Sequence, residues 1–392
     1  MDRIVLKPKK EQSLLRRHPW VFSGAIGRID GQPKNGDVVE VMTSMGATLG
    51  FGHWAEGSIA VRLFSFEKEH RSDEWWKMKL VKAYALRQSI GLTDHPSTTI
   101  YRLLNAEGDG MPGLVIDIYG DTAVIQAHSV GMHSLVAGIA GALLDLYAGK
   151  LKAVYDKSAD KLKKRSLEGN QYLSGSLGDA VALEYGNRFY IDWEEGQKTG
   201  FFIDQRENRK RIADFSRDKK VLNAFCYSGG FSIYALQGGA AHVHSVDSSQ
   251  KALDLTGRNL QLNGYDDSRH HSIKADAVEY IQQLESEFDV MVLDPPAFAK
   301  HLSARHQAVQ AYRRINEAAI RQVRSGGILF TFSCSQAVDV SLFRGAVTAA
   351  AIDAGRSVRV LEKLGQPADH PVSIFHPEGE YLKGLVLQVE DI

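Results

Sequence analysis

Hydrophobic and polar positions change rhythm several times along the chain. Between residues 38 and 66, short strand-like runs (38–41, 49–52 and 59–64) alternate with glycine-containing turns and no helical period develops. This predicts a small β-rich domain. Trp76, Leu80, Val81, Tyr84 and Ala85 then recur at helical spacing, predicting an amphipathic helix that buries this face and opens a second unit. Asp109-Gly110-Met111-Pro112-Gly113 reads as a turn between strands Ile100–Asn105 and Leu114–Tyr119, and Tyr119-Gly120-Asp121 as another before Thr122–Ala127. A helix over 130–147 and a strand over Ala153–Asp156 complete a compact α+β segment.

After Trp193 apolar strand runs alternate with helical periods. Residues 221–225, 241–247, 271–275, 290–294 and 327–332 read as strands, with helices such as Gln250–Leu262 and 307–323 between them. Such alternation predicts a largely parallel, doubly wound α/β sheet. Two further strands, 357–361 and 381–389, are separated by a loop instead of a helix, so the sheet is expected to finish with an antiparallel hairpin. The expected domains are 1–72, 73–184 and 185–392.

The 392 residues are 44% hydrophobic and 24% charged, ordinary values for a globular protein. No signal-peptide core or membrane-length apolar run is present, which predicts a cytoplasmic protein without a membrane partner. Cys226 and Cys334 are the two cysteines, in no metal-like spacing, so neither a disulfide framework nor a metal site is expected. Lys+Arg and Asp+Glu balance at 47 each, which gives no global signature of a polyanion partner. The basic residues nonetheless cluster: Lys7, Lys9, Lys10, Arg16 and Arg17; Lys157, Lys161, Lys163, Lys164 and Arg165; Arg206, Arg209, Lys210 and Arg211. Solvated faces are the ordinary reading of each.

Chemistry concentrates at the predicted strand ends. Val290-Met291-Val292-Leu293 runs into Asp294-Pro295-Pro296-Ala297-Phe298, and Leu329-Phe330-Thr331-Phe332 into Ser333-Cys334-Ser335. Open α/β sheets carry ligands at these carboxyl ends. A carboxylate and a soft nucleophile on neighbouring strand ends suit attack on a pyrimidine ring. The first strand leads into Phe225-Cys226-Tyr227-Ser228-Gly229-Gly230, whose glycines permit close backbone approach at a helix N-terminus. Asp247, about 20 residues on, can accept from ribose hydroxyls, and Asp276 is expected to meet an adenine edge. Cys226 is read as structural, the pairs His242/His244 and His270/His271 as surface residues, and Trp75 and Trp76 as packing.

Together with Lys198-Thr199-Gly200-Phe201-Phe202-Ile203-Asp204-Gln205-Arg206, these segments resemble the bacterial large-subunit ribosomal RNA cytosine-5 methyltransferase family. Arg17-His18-Pro19-Trp20-Val21-Phe22-Ser23-Gly24 and the β-rich segment behind it resemble that family's PUA domain, an RNA-binding module, and residues 105–120 its central domain. The resemblance spans nearly the whole chain. It implies a Rossmann-like methyltransferase sheet, S-adenosyl-L-methionine as cofactor, and large-subunit ribosomal RNA as partner, with a homodimer left open. It further implies that Lys198, Phe201, Gln205 and Arg206 lie over the cofactor. Phe225, Tyr227 and Gly229 would cradle its methionine end, Asp247 and Asp276 would hold ribose and adenine, and Asp294 and Cys334 would face the base.

A thiolate at Cys334 adding to carbon 6 of cytosine would make carbon 5 nucleophilic. Asp294 would bond the pyrimidine edge, and either Asp294 or water would remove the carbon-5 proton. Three other readings compete: methylation of an exocyclic amine such as guanine N2, a nicotinamide-dependent oxidoreductase, and a non-catalytic RNA-binding protein.

Overall fold

The computed structural model describes residues 1–67, 72–162, 169–178, 180–299 and 301–392. Two units emerge. The first comprises Met1–Leu183, Ile191–Ile203 and Ala368–Gly379; the second comprises Glu184–Tyr190, Asp204–Pro367 and Glu380–Ile392.

Among the described residues, the first unit is built on two large sheets. The N-terminal sheet has six strands, in the order Trp20–Phe22, Ile59–Ser65, Thr48–Trp54, Val38–Met42, Arg3–Leu6, Ile26–Asp30. Three of these were legible in the hydrophobic pattern; the others are short or carry charges on an exposed face, as in Ile26-Gly27-Arg28-Ile29-Asp30. The second sheet has five strands, four of them the predicted ones and the fifth Gln171–Ser174. The predicted helix over 130–147 is two helices, Val130–His133 and Val136–Tyr147. Helix Asp73–Ser89 begins at Ser72, whose side chain accepts from Trp75 N, a standard N-cap.

That helix buries part of the expected face. Trp76, Leu80, Ala83 and Arg87 are inside, whereas Val81 is 51% exposed. The buried stripe runs on to Arg87, which pairs bidentately with Asp109 at 2.6 and 2.8 Å and donates to Asp369 O at 2.7 Å. A buried guanidinium so satisfied can occupy a core face that apolarity alone would not assign to it. Trp75 and Trp76 pack edge-on against Phe64, as packing residues would.

The second unit is built on a seven-stranded sheet: β1 (Lys220–Ala224), β2 (His242–Asp247), β3 (His270–Lys274), β4 (Phe288–Leu293), β5 (Val323–Ser333), β6 (Arg356–Leu364) and β7 (Lys383–Asp391), in the order β3-β2-β1-β4-β5-β7-β6. Strands β1 to β5 are parallel, and β7 runs antiparallel to both β5 and β6. The connecting helices are α1 (Arg206–Ala213), α2 (Gly230–Gln237), α3 (Gln250–Leu262), α4 (Ala277–Gln282), α5 (Arg305–Gln322) and α6 (Val340–Ala354). The central strands are largely buried and read as continuous apolar runs, as doubly wound sheets require. Leu222, Met291, Leu293, Leu329 and Leu387 join α5 and α6 residues such as Tyr312, Ile315, Phe343 and Val347 in one core. The chain is thus α/β, with a β-rich N-terminal domain and a Rossmann-like C-terminal sheet, as expected. Among the described residues no helix is long and apolar enough to cross a membrane.

Candidate active site

The order of β1 to β5 places the reversal of strand order between β1 and β4, where such sheets bind ligands. Ala224 pairs with Leu293 across that point. The segment after β1 is a tight loop in which alternate residues lie in the left-handed region: Phe225 (φ 59°), Tyr227 (φ 46°) and Gly229 (φ 75°). Two non-glycine residues in this region store strain that the surroundings must hold. They do so through backbone and side-chain bonds. Cys226 N donates to Val246 O at 3.1 Å, Thr256 Oγ1 on α3 donates to Tyr227 O at 2.9 Å, and Asn259 Nδ2 donates to Ser228 O at 2.9 Å.

The glycines also have a packing cause. A Cβ at Gly229 would meet Thr256 Cγ2 at 2.6 Å, and one at Gly230 would meet Arg209 Cδ at 2.7 Å. Cys226 is buried and its thiol is pushed up to about 12, mainly by burial and then by the Asp247 charge. At neutral pH it is an inert thiol, as a structural cysteine should be.

Asp247 ends β2 and anchors this loop. Its Oδ2 accepts from Tyr227 N at 3.1 Å and its Oδ1 from Ser249 N at 2.9 Å. Each carboxylate oxygen retains a second lone pair, so the group can still accept from vicinal hydroxyls. Asp276, after β3, is exposed and caps α4, its Oδ1 accepting from Val278 N and Glu279 N; Oδ2 takes no part in the cap.

Asp294 follows β4. Gln205 Nε2 donates to its Oδ1 at 2.9 Å, while Gln205 Oε1 accepts from Asn208 Nδ2 at 2.6 Å. The second bond fixes which end of the amide faces the carboxylate. Cys334 follows β5, half-buried, with Sγ 4.0 Å from Pro295 O. Its neighbour Ser335, fully buried, ties the two strand ends together: Oγ accepts from Ala299 N at 3.3 Å and meets the Tyr312 hydroxyl at 3.0 Å. Carboxylate and thiol therefore sit on adjoining loops at the ends of paired strands.

The remaining expected site residues fall differently. Gln205 and Arg206 belong to this unit; both are buried, and Arg206 Nε bonds Glu207 Oε1 at 3.1 Å. Lys198 and Phe201 belong to the first unit. Lys198 is exposed, at φ 52°, with its ammonium 4.3 Å from the Phe202 ring centroid; Phe201 is buried. Thr199 between them donates to Asp117 Oδ2 at 2.6 Å, a carboxylate that Arg102 also grips at 2.8 and 2.9 Å.

Of the three basic groups, the first is exposed throughout. In the second, Lys157 is buried and donates to Gly196 O at 2.6 Å, and Lys163, Lys164 and Arg165 lie outside the described residues. The third is only partly a solvated face, since Lys210 is exposed but Arg206 and Arg209 are buried. Arg209 is buried against Glu184 at 2.8 and 2.6 Å, where the carboxylate keeps it protonated against burial, and Arg211 pairs with Glu362 and Asp214. His270 is likewise a correction: it is buried, with Nε2 2.7 Å from Ser245 Oγ, and burial lowers it to about 4. Ser245 on β2, itself bonded to Ser232 on α2, gives it a partner that periodicity could not reveal.

A second cluster, His18, His376 and Glu378, lies in the first unit with ligand-capable atoms within 4.8 Å of one another. His18 Nδ1 accepts from Trp20 N at 3.2 Å, which leaves the proton on Nε2. That nitrogen therefore donates to Glu378, 3.2 Å away, and offers no lone pair to a cation.

Residues 161–383 match the family described as S-adenosylmethionine-dependent methyltransferase, and residues 4–66 match the PUA-like domain. Among curated proteins, the chain is 41% identical to "Ribosomal RNA large subunit methyltransferase I" of Aeromonas hydrophila, over 98% of both chains. It is 38% identical to the protein of the same name from Alteromonas mediterranea, over 99% of both. A Streptococcus mutans structure described as a SAM-dependent methyltransferase superimposes with a TM-score of 0.85 at 21% identity, covering 99% of this chain and 100% of that one. Its fold is thus shared end to end. The chain belongs to the S-adenosylmethionine-dependent methyltransferase family, in the group whose curated members are named ribosomal RNA large subunit methyltransferase I.

Proposed function

We propose that the protein methylates carbon 5 of a cytosine in large-subunit ribosomal RNA, with Cys334 as nucleophile and Asp294 holding the base. The observation that carries this reading is the juxtaposition of Asp294 and Cys334 on the loops that follow adjacent parallel strands, tied by Ser335. A thiol in that position has no role in methylation of an amine. The names of the relatives support the RNA substrate; the PUA-like domain fits the same partner.

S-adenosylmethionine supplies an electrophilic methyl group when bound. Its fit rests on Asp247, whose carboxylate keeps acceptor capacity at the end of β2, and on the strained loop 225–229 beside it. Asp247 would take the ribose hydroxyls, Asp276 the adenine edge through Oδ2, and Phe225, Tyr227 and Gly229 the methionine end. The family resemblance also implies Lys198, Phe201, Gln205 and Arg206 as cofactor contacts; of these, Gln205 donates to Asp294.

The Cys334 thiolate adds to carbon 6, forming a C–S bond while the π electrons of the 5,6 double bond move toward carbon 5. The charge that develops at ring nitrogen 3 is neutralised by a proton taken from water and returned when the ring is restored, while the Asp294 carboxylate accepts from that N–H and from the amino group. Carbon 5 takes the methyl group. A base, Asp294 or water, then removes the carbon-5 proton, the double bond reforms, and the thiolate leaves.

Cys334→Ala should bind cofactor and RNA normally yet lose transfer. Activity in a folded Cys334→Ala protein, with the methyl group on an exocyclic nitrogen, would replace this reading with amine methylation. The nicotinamide reading has no support in the family match, and a methylation assay disposes of a purely RNA-binding role.

A further inference from the structure

Strand β7 is an inner strand, paired on both sides, and Lys383 is a charged residue at its start within the run Leu382-Lys383-Gly384-Leu385-Val386-Leu387. It is 6% exposed. It pairs in register with Ser333 on β5, the residue before Cys334, and its ammonium donates to Ser335 O, the residue after, at 2.8 Å. The ammonium thus lies beside the backbone that carries the thiol. Among the described residues no carboxylate is in ion-pair contact with it; Asp339 and Glu380 act on it only at longer range. A buried ammonium with one carbonyl partner is costly to keep charged, and a nearby anion would compensate.

We propose that Lys383 is a positioning residue for the reaction, acting through Cys334 by holding its side chain as the thiolate. The proposal rests on the reading of Cys334 as nucleophile. Burial lowers the Lys383 ammonium, while Cys334, Asp339 and Glu380, in that order, oppose the drop. Tyr312 on α5 faces the same thiol and is raised chiefly by burial and further by Cys334, so it stays neutral and adds no competing charge. Asp294 is the carboxylate on the adjoining loop, and it disfavours the thiolate. Among the described residues, Lys383 is a cation placed to offset it. Arginine at this position keeps the charge but not the compact donor.

The test is the pH dependence of iodoacetamide alkylation at Cys334, followed by mass spectrometry of its peptide so that Cys226 does not contribute. In the wild-type protein the midpoint should lie below the ordinary thiol value of about 8.5. In Lys383→Met it should rise by about one pH unit or more, and Lys383→Arg should restore most of the difference. Methylation should follow, with kcat falling at neutral pH and recovering at high pH while KM for RNA is unchanged. Calorimetric binding of S-adenosylmethionine checks folding; if Lys383→Met does not fold, the wild-type midpoint alone decides. A wild-type midpoint at or above the ordinary value, or one that Lys383→Met leaves unmoved, overturns the proposal while the nucleophile reading stands. An active Cys334→Ala protein overturns both.

Discussion

At the scale of single residues, the carboxylates of Asp247 and Asp276 each hold the backbone of their own loop. Asp247 accepts from two backbone amides and so holds the loop that it would share with a ligand. Asp247→Ala should weaken S-adenosylmethionine binding by ~2–3 kcal/mol, because charge-assisted bonds to the ribose are removed, with RNA affinity nearly unchanged; unaltered cofactor affinity by calorimetry in a folded variant would refute the assignment. His270 shows how a residue type can mislead. Read as a surface histidine, it is instead a buried neutral group with its folded value lowered to about 4. The unfolded chain therefore binds more protons between about pH 6.5 and 4, and stability falls as pH falls through that window, by at most about 1.4 kcal/mol per pH unit for this residue. His270→Gln should flatten the decline measured by denaturant unfolding between pH 7 and 5. An unchanged slope would mean that His270 titrates normally in the fold.

At the scale of elements, the strands and helices of the second unit were largely legible, because parallel strands buried on both faces are apolar runs and helices carry a 3.6-residue period. Helix Gln250–Leu262 has the bounds that its pattern predicts. What was not legible depends on partners distant in sequence: Arg87 buried against Asp109, Arg209 buried on Glu184, and the short N-terminal strands that gain identity only in a sheet. The site shows the same division. Asp294, Cys334 and Asp247 were visible as polar residues ending apolar runs. Ser335 and Lys383 look ordinary until β7 is known to lie beside β5. The loop 225–229 makes a prediction of its own. Gly229→Ala forces a Cβ against Thr256 at positive φ, which should lower stability by ~1–3 kcal/mol and weaken cofactor binding. Adding Thr256→Ser, which removes the obstructing methyl, should recover part of both; a double variant no better than Gly229→Ala would mean that the clash is not the cause.

At the scale of the whole molecule, Phe51 and Phe64 of the N-terminal sheet share one buried cluster with Trp76, Leu80 and Leu103. A cut after residue 72 would open that core, so the contribution of the PUA-like domain to RNA binding is better measured on its exposed basic group. Replacing Lys9, Lys10, Arg16 and Arg17 by Glu should leave S-adenosylmethionine affinity unchanged, weaken RNA binding, and reduce its dependence on salt by about one log–log unit for each phosphate no longer neutralised. Equal affinity and equal salt slope would remove this surface from the interface. The central claim concerns how the full chain and its RNA meet in one covalent step, and it is tested most directly by trapping that step. Wild-type protein, S-adenosylmethionine and target RNA carrying 5-fluorocytosine should give a stable protein–RNA adduct attached at Cys334, because fluorine cannot leave as the proton would and the thiolate is not released. Absence of any adduct while the same preparation methylates unmodified RNA, or attachment at a residue other than Cys334, would contradict it.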